Sequence, residues 1–421
     1  LDSFIFCGFI CWSFICWSFI CWRFICWRFI CWSGAPSSNA TFVDRKATLV
    51  RGDDPGRQPP LVALLSPRLF RRTRGCFAEP EVVSPKEVVS PKEIFATHDR
   101  LPPPGLNFAW ADAGDHSIVS KIAFLFPGQG AQTVGMGQEL ARTIPAVRTL
   151  LDRATDILGW DLADVCFNGP TEKLDSTVYS QPALFVCGLA GLESLRESAP
   201  EVVERCEATA GLSLGEYTAM VFAGGMDFET GLRVVQRRGE AMQRAADRRP
   251  SSMVSVLGLK IDQIADLCDQ TRNEGEVLQI ANFLCPGNTV VSGDTEACER
   301  FTAAAEAAGA MKVIPLAVAG AFHTPIMDPA ADELAQVLAE TEINSPRIPV
   351  ISNVDAKAHD DPEDLRKILV QQVVNPVHWE TSIRALMEQG FDEFYEVGPG
   401  RVLTALMKRI HRKTPCHNVA C

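Results

Sequence analysis

Apolar and polar positions form two different patterns in the body of the chain, which begins near residue 118. Short apolar runs alternate with longer stretches in which apolar residues recur at the helical period. The short runs predict buried strands at 121–126, 208–210, 349–353 and 393–397. The periodic stretches predict helices at 138–158, 181–197, 215–224, 227–242, 328–341, 362–373, 378–389 and 401–413. Strands that alternate with helices indicate an α/β fold, with a hydrolase-like, mainly parallel sheet flanked by helices.

The segment 253–318 has a different order of elements. Its pattern predicts strands at 253–259, 277–283, 289–292 and 311–318, with helices at 262–272 and 295–308. That is the β-α-β-β-α-β order of a ferredoxin-like unit. We therefore expect residues 253–318 to form a small subdomain, inserted into a large α/β domain made of residues 118–252 and 319–421.

Residues 1–117 match neither pattern and are excluded from the predicted fold. Residues 9–32 repeat Phe-Ile-Cys-Trp plus Ser or Arg with a period of five, which leaves no helix or strand face apolar. Residues 34–78 are basic, and a Pro-containing stretch typical of a linker follows.

The repeat is either the apolar start of a targeting leader or a translated tandem repeat without function. The first interpretation favours a plastid, with mitochondrion or cytoplasm as alternatives. Because the sequence begins at Leu1, we expect its true start to lie upstream.

Charge and cysteine content exclude several classes of protein. The formal net charge is −12, and residues after 120 carry 27 Lys and Arg against 41 Asp and Glu. An acidic body argues against general nucleic-acid binding, although a local basic site for an anionic ligand stays possible. Six of the 15 cysteines lie in the repeat or, in the case of Cys7, just before it, and the body has no Cys-x-x-Cys pair. We therefore expect reduced thiols, no disulfide framework and no zinc site. Arg23 and Arg28 within the apolar repeat argue against a stable membrane anchor.

The sequence Gly211-Leu-Ser-Leu-Gly215 predicts a serine at a sharp turn between a strand and a helix. Flanking glycines remove the side chains that would clash there, so the hydroxyl of Ser213 is exposed to a substrate. Ser213 is therefore a candidate nucleophile, although the same pattern also fits a turn without chemistry. A serine hydroxyl is a poor nucleophile at neutral pH and needs a neighbouring base.

His323 is the candidate base, because it follows the small-residue loop 319–322 at the junction of the two predicted domains. A packed loop histidine is the alternative. The other body histidines lie in a polar stretch, at a helix start or in a charged tail. A catalytic histidine needs an acceptor for its second ring nitrogen. The spacing does not identify it, and a backbone carbonyl, an amide or Asp328 would each serve.

Two further features could serve an acyl-transfer site. The backbone N–H groups of Gln129 and Leu214 could form an oxyanion hole, one from the Gly-Gln-Gly loop and one from the head of the helix after Ser213. Arg238 could bind a substrate carboxylate through its guanidinium. Its neighbour Arg237 is an equal candidate on composition, and a solvated surface arginine is the alternative.

Six motifs carry a resemblance to a known family. In chain order they are Phe-Pro-Gly-Gln-Gly at 126–130, Gly-Leu-Ser-Leu-Gly-Glu-Tyr at 211–217, Gln-Arg-Arg-Gly at 236–239, Ala-Phe-His at 321–323, Asn-Pro-Val-His-Trp at 375–379 and Glu-Val-Gly-Pro-Gly at 396–400. Over about residues 120–413 the chain resembles the malonyl-CoA:acyl carrier protein transacylases, the loading enzymes of type II fatty-acid synthesis.

The resemblance implies roles for particular residues. Ser213 would be the acylated nucleophile and His323 its base, with the backbone N–H groups of Gln129 and Leu214 as the oxyanion hole. Malonyl-CoA would acylate the serine, and the phosphopantetheine thiol of acyl carrier protein would then take the malonyl group, in a ping-pong mechanism.

The remaining implied roles concern binding. Arg238 would hold the malonyl carboxylate, Gln372 would accept a hydrogen bond from His323, and Asn282 would line the acyl pocket. No metal or redox cofactor is implied, and a monomer is expected. Bacterial members often carry His where this chain has Leu212, whereas plant-like members carry Leu.

Three alternatives stay open at this stage. The chain could be a malonyl-selective acyltransferase domain of a polyketide synthase, a serine hydrolase or a non-catalytic relative. A carrier partner has one physical basis of its own, because carrier proteins are acidic and Lys408, Arg409, Arg412 and Lys413 form a basic stretch. The same charges would also suit the C-terminus of a helix.

Overall fold

The computed structural model describes residues 120–421, and all statements below concern that part of the chain. The predicted repeat, leader and linker at 1–117 lie outside the described residues. No helix between residues 120 and 421 is both long enough and apolar enough to cross a membrane.

The described strands form two sheets. The strands are β1 (Ile122–Phe126), β2 (Cys206–Gly211), β3 (Ser251–Leu257), β4 (Leu278–Cys285), β5 (Asn288–Asp294), β6 (Lys312–Pro315), β7 (Val350–Ile351), β8 (Glu393–Val397) and β9 (Cys416–Val419). The larger sheet has the order β7-β2-β1-β8-β9, and all its neighbouring strands are parallel. The smaller sheet has the order β4-β5-β3-β6, and all its neighbours are antiparallel.

Helices connect these strands. They are α1 (Gln138–Thr143), α2 (Pro145–Leu158), α3 (Leu162–Asn168), α4 (Thr171–Asp175), α5 (Thr177–Ser198), α6 (Pro200–Glu204), α7 (Gly215–Phe222), α8 (Phe228–Asp247), α9 (Ile261–Thr271), α10 (Thr295–Ala307), α11 (Asp328–Ala339), α12 (Pro362–Gln372), α13 (Trp379–Glu388) and α14 (Val402–Ile410), with a short 3-10 turn at Pro325–Met327.

The parallel sheet explains the apolar runs of the sequence. Every residue of β1 is buried, as expected for a central parallel strand covered on both faces. Ile122, Phe124 and Phe126 pack into one hydrophobic core, whereas Ala123 and Leu125 pack into a second. This alternation follows from the two-residue period of a strand. The predicted α/β architecture with a mainly parallel sheet is therefore confirmed.

The small sheet runs in the predicted β-α-β-β-α-β order, as β3-α9-β4-β5-α10-β6. It has a hydrophobic core of its own, which includes Val256, Ile264 and Phe301. Its assignment as a separate ferredoxin-like subdomain with bounds at 253 and 318 stays a prediction.

Several elements differ from the sequence-based expectation. The helix predicted at 138–158 is two helices, because Ile144 takes an extended conformation before Pro145, which begins α2. The last helix ends at Ile410, and β9 follows it as an edge strand of the large sheet. Helix α5 begins at Thr177, four residues before the predicted start, and contains Pro182 in its second turn. The sequence pattern also missed the short helices α3, α4 and α6.

The glutamate of the Glu-Val-Gly-Pro-Gly motif, Glu396, has a structural role. Its carboxylate is fully buried on β8 and accepts hydrogen bonds from the backbone N–H groups of Leu403 (2.9 Å) and Thr404 (2.9 Å). The hydroxyl of Thr404 donates a third bond to the same carboxylate at 2.6 Å. These N–H groups lie in the first turn of α14, where they have no acceptor within the helix. Glu396 therefore fastens α14 to the sheet.

We expect Glu396→Ala to lower the free energy of unfolding by about 3 kcal/mol, because it leaves three buried donors without an acceptor. Urea denaturation of the full chain followed by circular dichroism measures this change. Glu388→Ala, at an exposed position near the end of α13, is the matched control and should change it by less than about 0.5 kcal/mol. Equal losses in the two variants would contradict the fastening role.

Candidate active site

Ser213 lies in a tight turn between β2, which ends at Gly211, and α7, which begins at Gly215. Its φ is 50°, in the left-handed region that residues with a side chain rarely adopt. A Cβ on Gly211 would lie 1.9 Å from the carbonyl carbon of Gly215, and one on Gly215 would lie 2.1 Å from the oxygen of Phe126. Only glycine fits at both positions, so the two glycines of the motif are required by packing.

His323 contacts Ser213 directly. The distance from its Nε2 to the Oγ of Ser213 is 2.9 Å, and the distance from its Nδ1 to the backbone oxygen of Gln372 is 2.8 Å. A carbonyl oxygen only accepts, so Nδ1 carries the proton and Nε2 is free to accept from the serine. Burial, and secondarily the nearby charge of Arg238, lower the pKa of His323 to about 4. The ring is therefore neutral at neutral pH and can act as a base.

The small sheet holds the loop that carries His323. The Oγ of Ser292 donates to the oxygen of Phe322 at 3.0 Å, and the Nε2 of Gln279 donates to the oxygen of His323 at 3.2 Å. The N–H of Ala321 donates to the Oγ of Ser251 at 3.1 Å. The nucleophile thus belongs to the parallel sheet, while residues of the small sheet fix the position of its partner.

The guanidinium of Arg238 lies beside both residues. Its Nη2 donates to the Oγ of Ser213 (3.0 Å) and to the Oε1 of Gln372 (2.9 Å). Its Nη1 donates to the Oε1 of Gln181 at 2.7 Å. The side chain is 1% exposed, and within residues 120–421 its Nε has no hydrogen-bond partner. Arg237, which the sequence left as an equal candidate, points to solvent and pairs with Glu240.

The loop that carries Gln129 packs against the turn that carries Ser213. A Cβ on Gly128 would lie 2.2 Å from the oxygen of Leu212, so the two backbones approach as closely as glycine allows. Within residues 120–421, the backbone N–H groups of Gln129 and Leu214 donate no hydrogen bond to a protein acceptor. Leu214 directly follows the serine, and Gln129 directly follows the glycine that contacts the serine turn, so their role as an oxyanion hole stays a prediction.

In the described part of the chain, hydrogen bonds link Ser213, His323, Arg238 and Gln372 to one another, whereas Asn282, like Gln129 and Leu214, makes none to another predicted site residue. Asn282 lies on β4, 9% exposed, at an irregularity in the pairing with β5. It also bridges to Val377 in the loop before α13. Its place in an acyl pocket stays a prediction.

The sequence analysis missed Asn353, which clamps the turn around Ser213. Its Oδ1 accepts from the N–H of Ser213 at 2.7 Å, and its Nδ2 donates to the oxygen of Gly211 at 2.7 Å. Asn353 follows β7, the neighbour of β2 in the parallel sheet. Side chains at the carboxyl ends of adjacent parallel strands meet at one edge, which is the signal that could have identified it.

Gln181 and Glu216 were also missed as functional candidates. Gln181 lies on α5 and accepts from Arg238. Glu216 belongs to the serine motif itself and accepts from the amide of Gln372 at 2.6 Å. In the described part of the chain, no three His, Cys, Asp or Glu side chains are grouped so that they could hold a metal ion.

Comparisons with known proteins agree with this arrangement. A family model described as an acyl transferase domain matches residues 123–420. The chain is 40% identical over 295 residues to the malonyl CoA-acyl carrier protein transacylase of Bacillus subtilis, and the aligned residues cover 70% of this chain and 92% of that protein. It is 42% identical over 302 residues to the protein of Mus musculus named as the mitochondrial transacylase, covering 69% of this chain and 78% of that one.

Solved structures give the same result. The malonyl CoA-acyl carrier protein transacylase of Coxiella burnetii matches with a TM-score of 0.68 at 37% identity, over 71% of this chain and 94% of that one. A malonyl-transacylase solved in complex with its type II PKS acyl-carrier protein matches with a TM-score of 0.69 at 40% identity. The match covers 72% of this chain and 96% of that one. The chain therefore belongs to the acyl transferase family and, within it, to the malonyl-CoA–acyl carrier protein transacylases.

Proposed function

We propose that this chain transfers the malonyl group of malonyl-CoA to the phosphopantetheine thiol of an acyl carrier protein, through a malonyl ester on Ser213, and so supplies fatty-acid synthesis. The observation that carries the proposal is the contact of one serine hydroxyl with both a neutral histidine and a buried arginine. A hydrolytic serine needs the base but not a buried cation beside its hydroxyl. Transfer of an acyl group that bears a carboxylate needs the base to activate the serine and the cation to bind the carboxylate.

The first half-reaction forms the malonyl ester. The Oγ of Ser213 attacks the thioester carbonyl carbon of malonyl-CoA, while its proton passes to the Nε2 of His323. The negative charge that develops on the carbonyl oxygen is stabilised by the N–H groups of Gln129 and Leu214. When the carbon–sulfur bond breaks, His323 returns the proton to the departing sulfur, and free CoA leaves.

The second half-reaction reverses these steps with a different thiol. The phosphopantetheine thiol gives its proton to His323 and attacks the ester carbonyl carbon. The ester bond to Ser213 breaks, the serine oxygen recovers the proton, and malonyl-carrier protein leaves. Both halves need His323 neutral at the start, which agrees with the lowered pKa of its ring.

Arg238 is suited to hold the free carboxylate of the malonyl group. Its guanidinium keeps an Nε–H without a partner among the described residues, and the adjacent Nη2 already points at the serine oxygen. Once the serine oxygen carries the acyl group, the Nη2 hydrogen that now donates to it would be released, and together with the Nε–H it would give two adjacent donors for the two oxygens of a carboxylate. The arrangement favours an acyl group with a carboxylate two carbons from the ester over an acetyl group.

The basic end of α14 is suited to an acidic partner. Lys408 and Arg409 in the last turn of α14, and Arg412 and Lys413 just after it, are all exposed. Arg409 also donates hydrogen bonds to the oxygens of Pro286 and Gly287. The body is otherwise acidic, so this local charge would attract an acidic carrier and steer its approach.

Location in an organelle is part of the proposal. It is supported by the mouse and human relatives, which are named as mitochondrial proteins. The residues that predicted a plastid lie outside the described part of the chain, so the choice of organelle stays a prediction of the sequence.

The malonyl ester is tested by intact mass spectrometry after brief exposure to malonyl-CoA. We expect one malonyl adduct on the wild-type chain and none on Ser213→Ala, because the hydroxyl of Ser213 contacts both the buried base His323 and the buried guanidinium of Arg238. Adding carrier protein with its phosphopantetheine arm should remove the adduct and load the carrier. Loss of the adduct to water at the same rate without carrier would instead identify a hydrolase.

We expect Arg238→Ala to lower kcat/KM for malonyl-CoA about 100-fold, which corresponds to about 3 kcal/mol for a buried charged pair. Steady-state kinetics with malonyl-CoA and acetyl-CoA measure the change, which should be much smaller for acetyl-CoA because that substrate has no carboxylate. Arg237→Ala is the matched control and should leave both values unchanged. An equal fall for both substrates in Arg238→Ala would contradict the binding role.

We expect the double variant Lys408→Glu and Arg412→Glu to raise the KM for carrier protein about fivefold at low salt and to leave the KM for malonyl-CoA unchanged. The difference should shrink as ionic strength rises, because exposed charges are screened. Lys367→Glu reverses an exposed charge on α12 and serves as the control. A carrier KM that does not change in the double variant would remove α14 from the docking surface.

A further inference from the structure

Glu216 is a buried carboxylate that the proposed reaction does not yet use. It lies in the first turn of α7, three residues after Ser213, and is 3% exposed. Its Oε2 accepts from the Nε2 of Gln372 at 2.6 Å and from the N–H of Asn353 at 3.2 Å. A carboxylate is rarely buried to this extent unless it is paired and hydrogen-bonded, so its partners indicate what it does.

The side-chain amide of Gln372 has one favourable orientation in this site. Its Nε2 donates to Glu216 and to the backbone oxygen of Ser213 (3.0 Å), while its Oε1 accepts from Arg238. A flipped amide would place its NH₂ against the guanidinium and its oxygen against a carboxylate. Glu216 therefore disfavours the flip and keeps the amide oxygen of Gln372 towards Arg238.

Gln372 links both functional partners of the serine. Its side-chain oxygen holds the Nη2 of Arg238, and its backbone oxygen accepts from the Nδ1 of His323. A residue that fixes Gln372 thus acts on the arginine and on the histidine together, without touching a substrate.

The charge of Glu216 has a second effect, on the electrostatic field of the site. Arg238 lowers the pKa of His323 and so opposes the protonation of the ring that the reaction requires. The charge of Glu216 favours the cationic form of Arg238 and offsets part of that field. An ionised Glu216 should therefore ease proton transfer to His323.

We propose that ionised Glu216 is a positioning residue for acyl transfer, holding Gln372 in the orientation that aligns Arg238 and His323 and offsetting the arginine's charge. This inference rests on the proposed function and names a further residue for it. The observation that carries it is the hydrogen-bonded path from the carboxylate through Gln372 to both partners of Ser213.

The charges around Glu216 make this role dependent on pH. Burial is the largest cause and raises the pKa of Glu216 to about 7. The hydrogen bonds from Gln372 and Asn353 and the charge of Arg238 on α8 lower that pKa, whereas the charge of Asp355 after β7 raises it. The adjacent Tyr217 is neutral in this range, because burial raises its pKa to about 12. The carboxylate is therefore ionised above about pH 7 and loses its charge below it, whereas the pKa of His323 is lowered to about 4.

The test is the single-turnover rate of malonyl-enzyme formation, followed by rapid quenching and intact mass from about pH 5 to about pH 9. We expect the wild-type rate to fall about tenfold from pH 8 to pH 6, since the positioning carboxylate takes up a proton in that range. Glu216→Gln should be about tenfold slower at pH 8 and nearly independent of pH over the same range. Glu197→Gln, at an exposed position on α5, should follow the wild type.

The outcomes separate this inference from the proposed function. A folded Glu216→Gln that matches the wild-type rate at pH 8, or that keeps the wild-type pH dependence, overturns the inference alone. A role in stability alone would lower the rate by the same factor at every pH. If Glu216→Gln does not fold, Glu216→Asp retains a titratable carboxyl and must keep the pH dependence, or the inference fails. A wild-type chain that forms no malonyl ester at any pH overturns the proposed function itself.

Discussion

The tight turn at Ser213 is the constraint on which the rest of the site depends. The left-handed backbone of a residue with a side chain costs on the order of 1–2 kcal/mol. Here the cost is offset by hydrogen bonds on both sides, because the N–H of Ser213 donates to the Oδ1 of Asn353 and the Nε2 of Gln372 donates to the backbone oxygen of Ser213. Glycines at 128, 211 and 215 let three backbones meet at contact distance. The strain is therefore maintained by a packed and hydrogen-bonded surrounding, and it directs the hydroxyl towards the histidine.

Buried charge is the second organising feature. A guanidinium that is 1% exposed would be costly by itself, but three of its donor contacts are satisfied by Gln181, Gln372 and Ser213. The carboxylate of Glu216 lies at the far side of the Gln372 amide and balances part of that charge. In such low-dielectric surroundings each polar group acts strongly on the others. The same burial that raises the cost of the site also keeps His323 neutral and available as a base.

The two sheets position different residues of the site. The parallel sheet and its helices carry Ser213, the loop of Gln129 and, on α8 and α12, Arg238 and Gln372. Ser251, Gln279 and Ser292 of the small sheet hold the loop of His323 by hydrogen bonds to its backbone. The backbone oxygens of Gln372 and Val373, at the end of α12, hold the ring and the N–H of the same histidine, so His323 is fixed from both sides.

The sequence by itself determined the elements with strong local signals and the residues inside contiguous motifs. The fully apolar strand β1, the glycine-flanked Ser213 and the histidine after a small-residue loop are of this kind, because local chemistry alone selects them. The weak strand β2, with the sequence Cys-Glu-Ala-Thr-Ala-Gly, is stabilised by its two parallel neighbours, including a bond from Thr209 to Phe124. The family resemblance selected Arg238 over Arg237, but only the tertiary structure showed that Arg238 is buried and Arg237 exposed, and only it brought Asn353 to the turn. Both outcomes depend on contacts between residues more than 100 positions apart in sequence, such as the hydrogen bond that Arg238 donates to Gln372 and the one that Ser213 donates to Asn353. No local pattern contains such contacts.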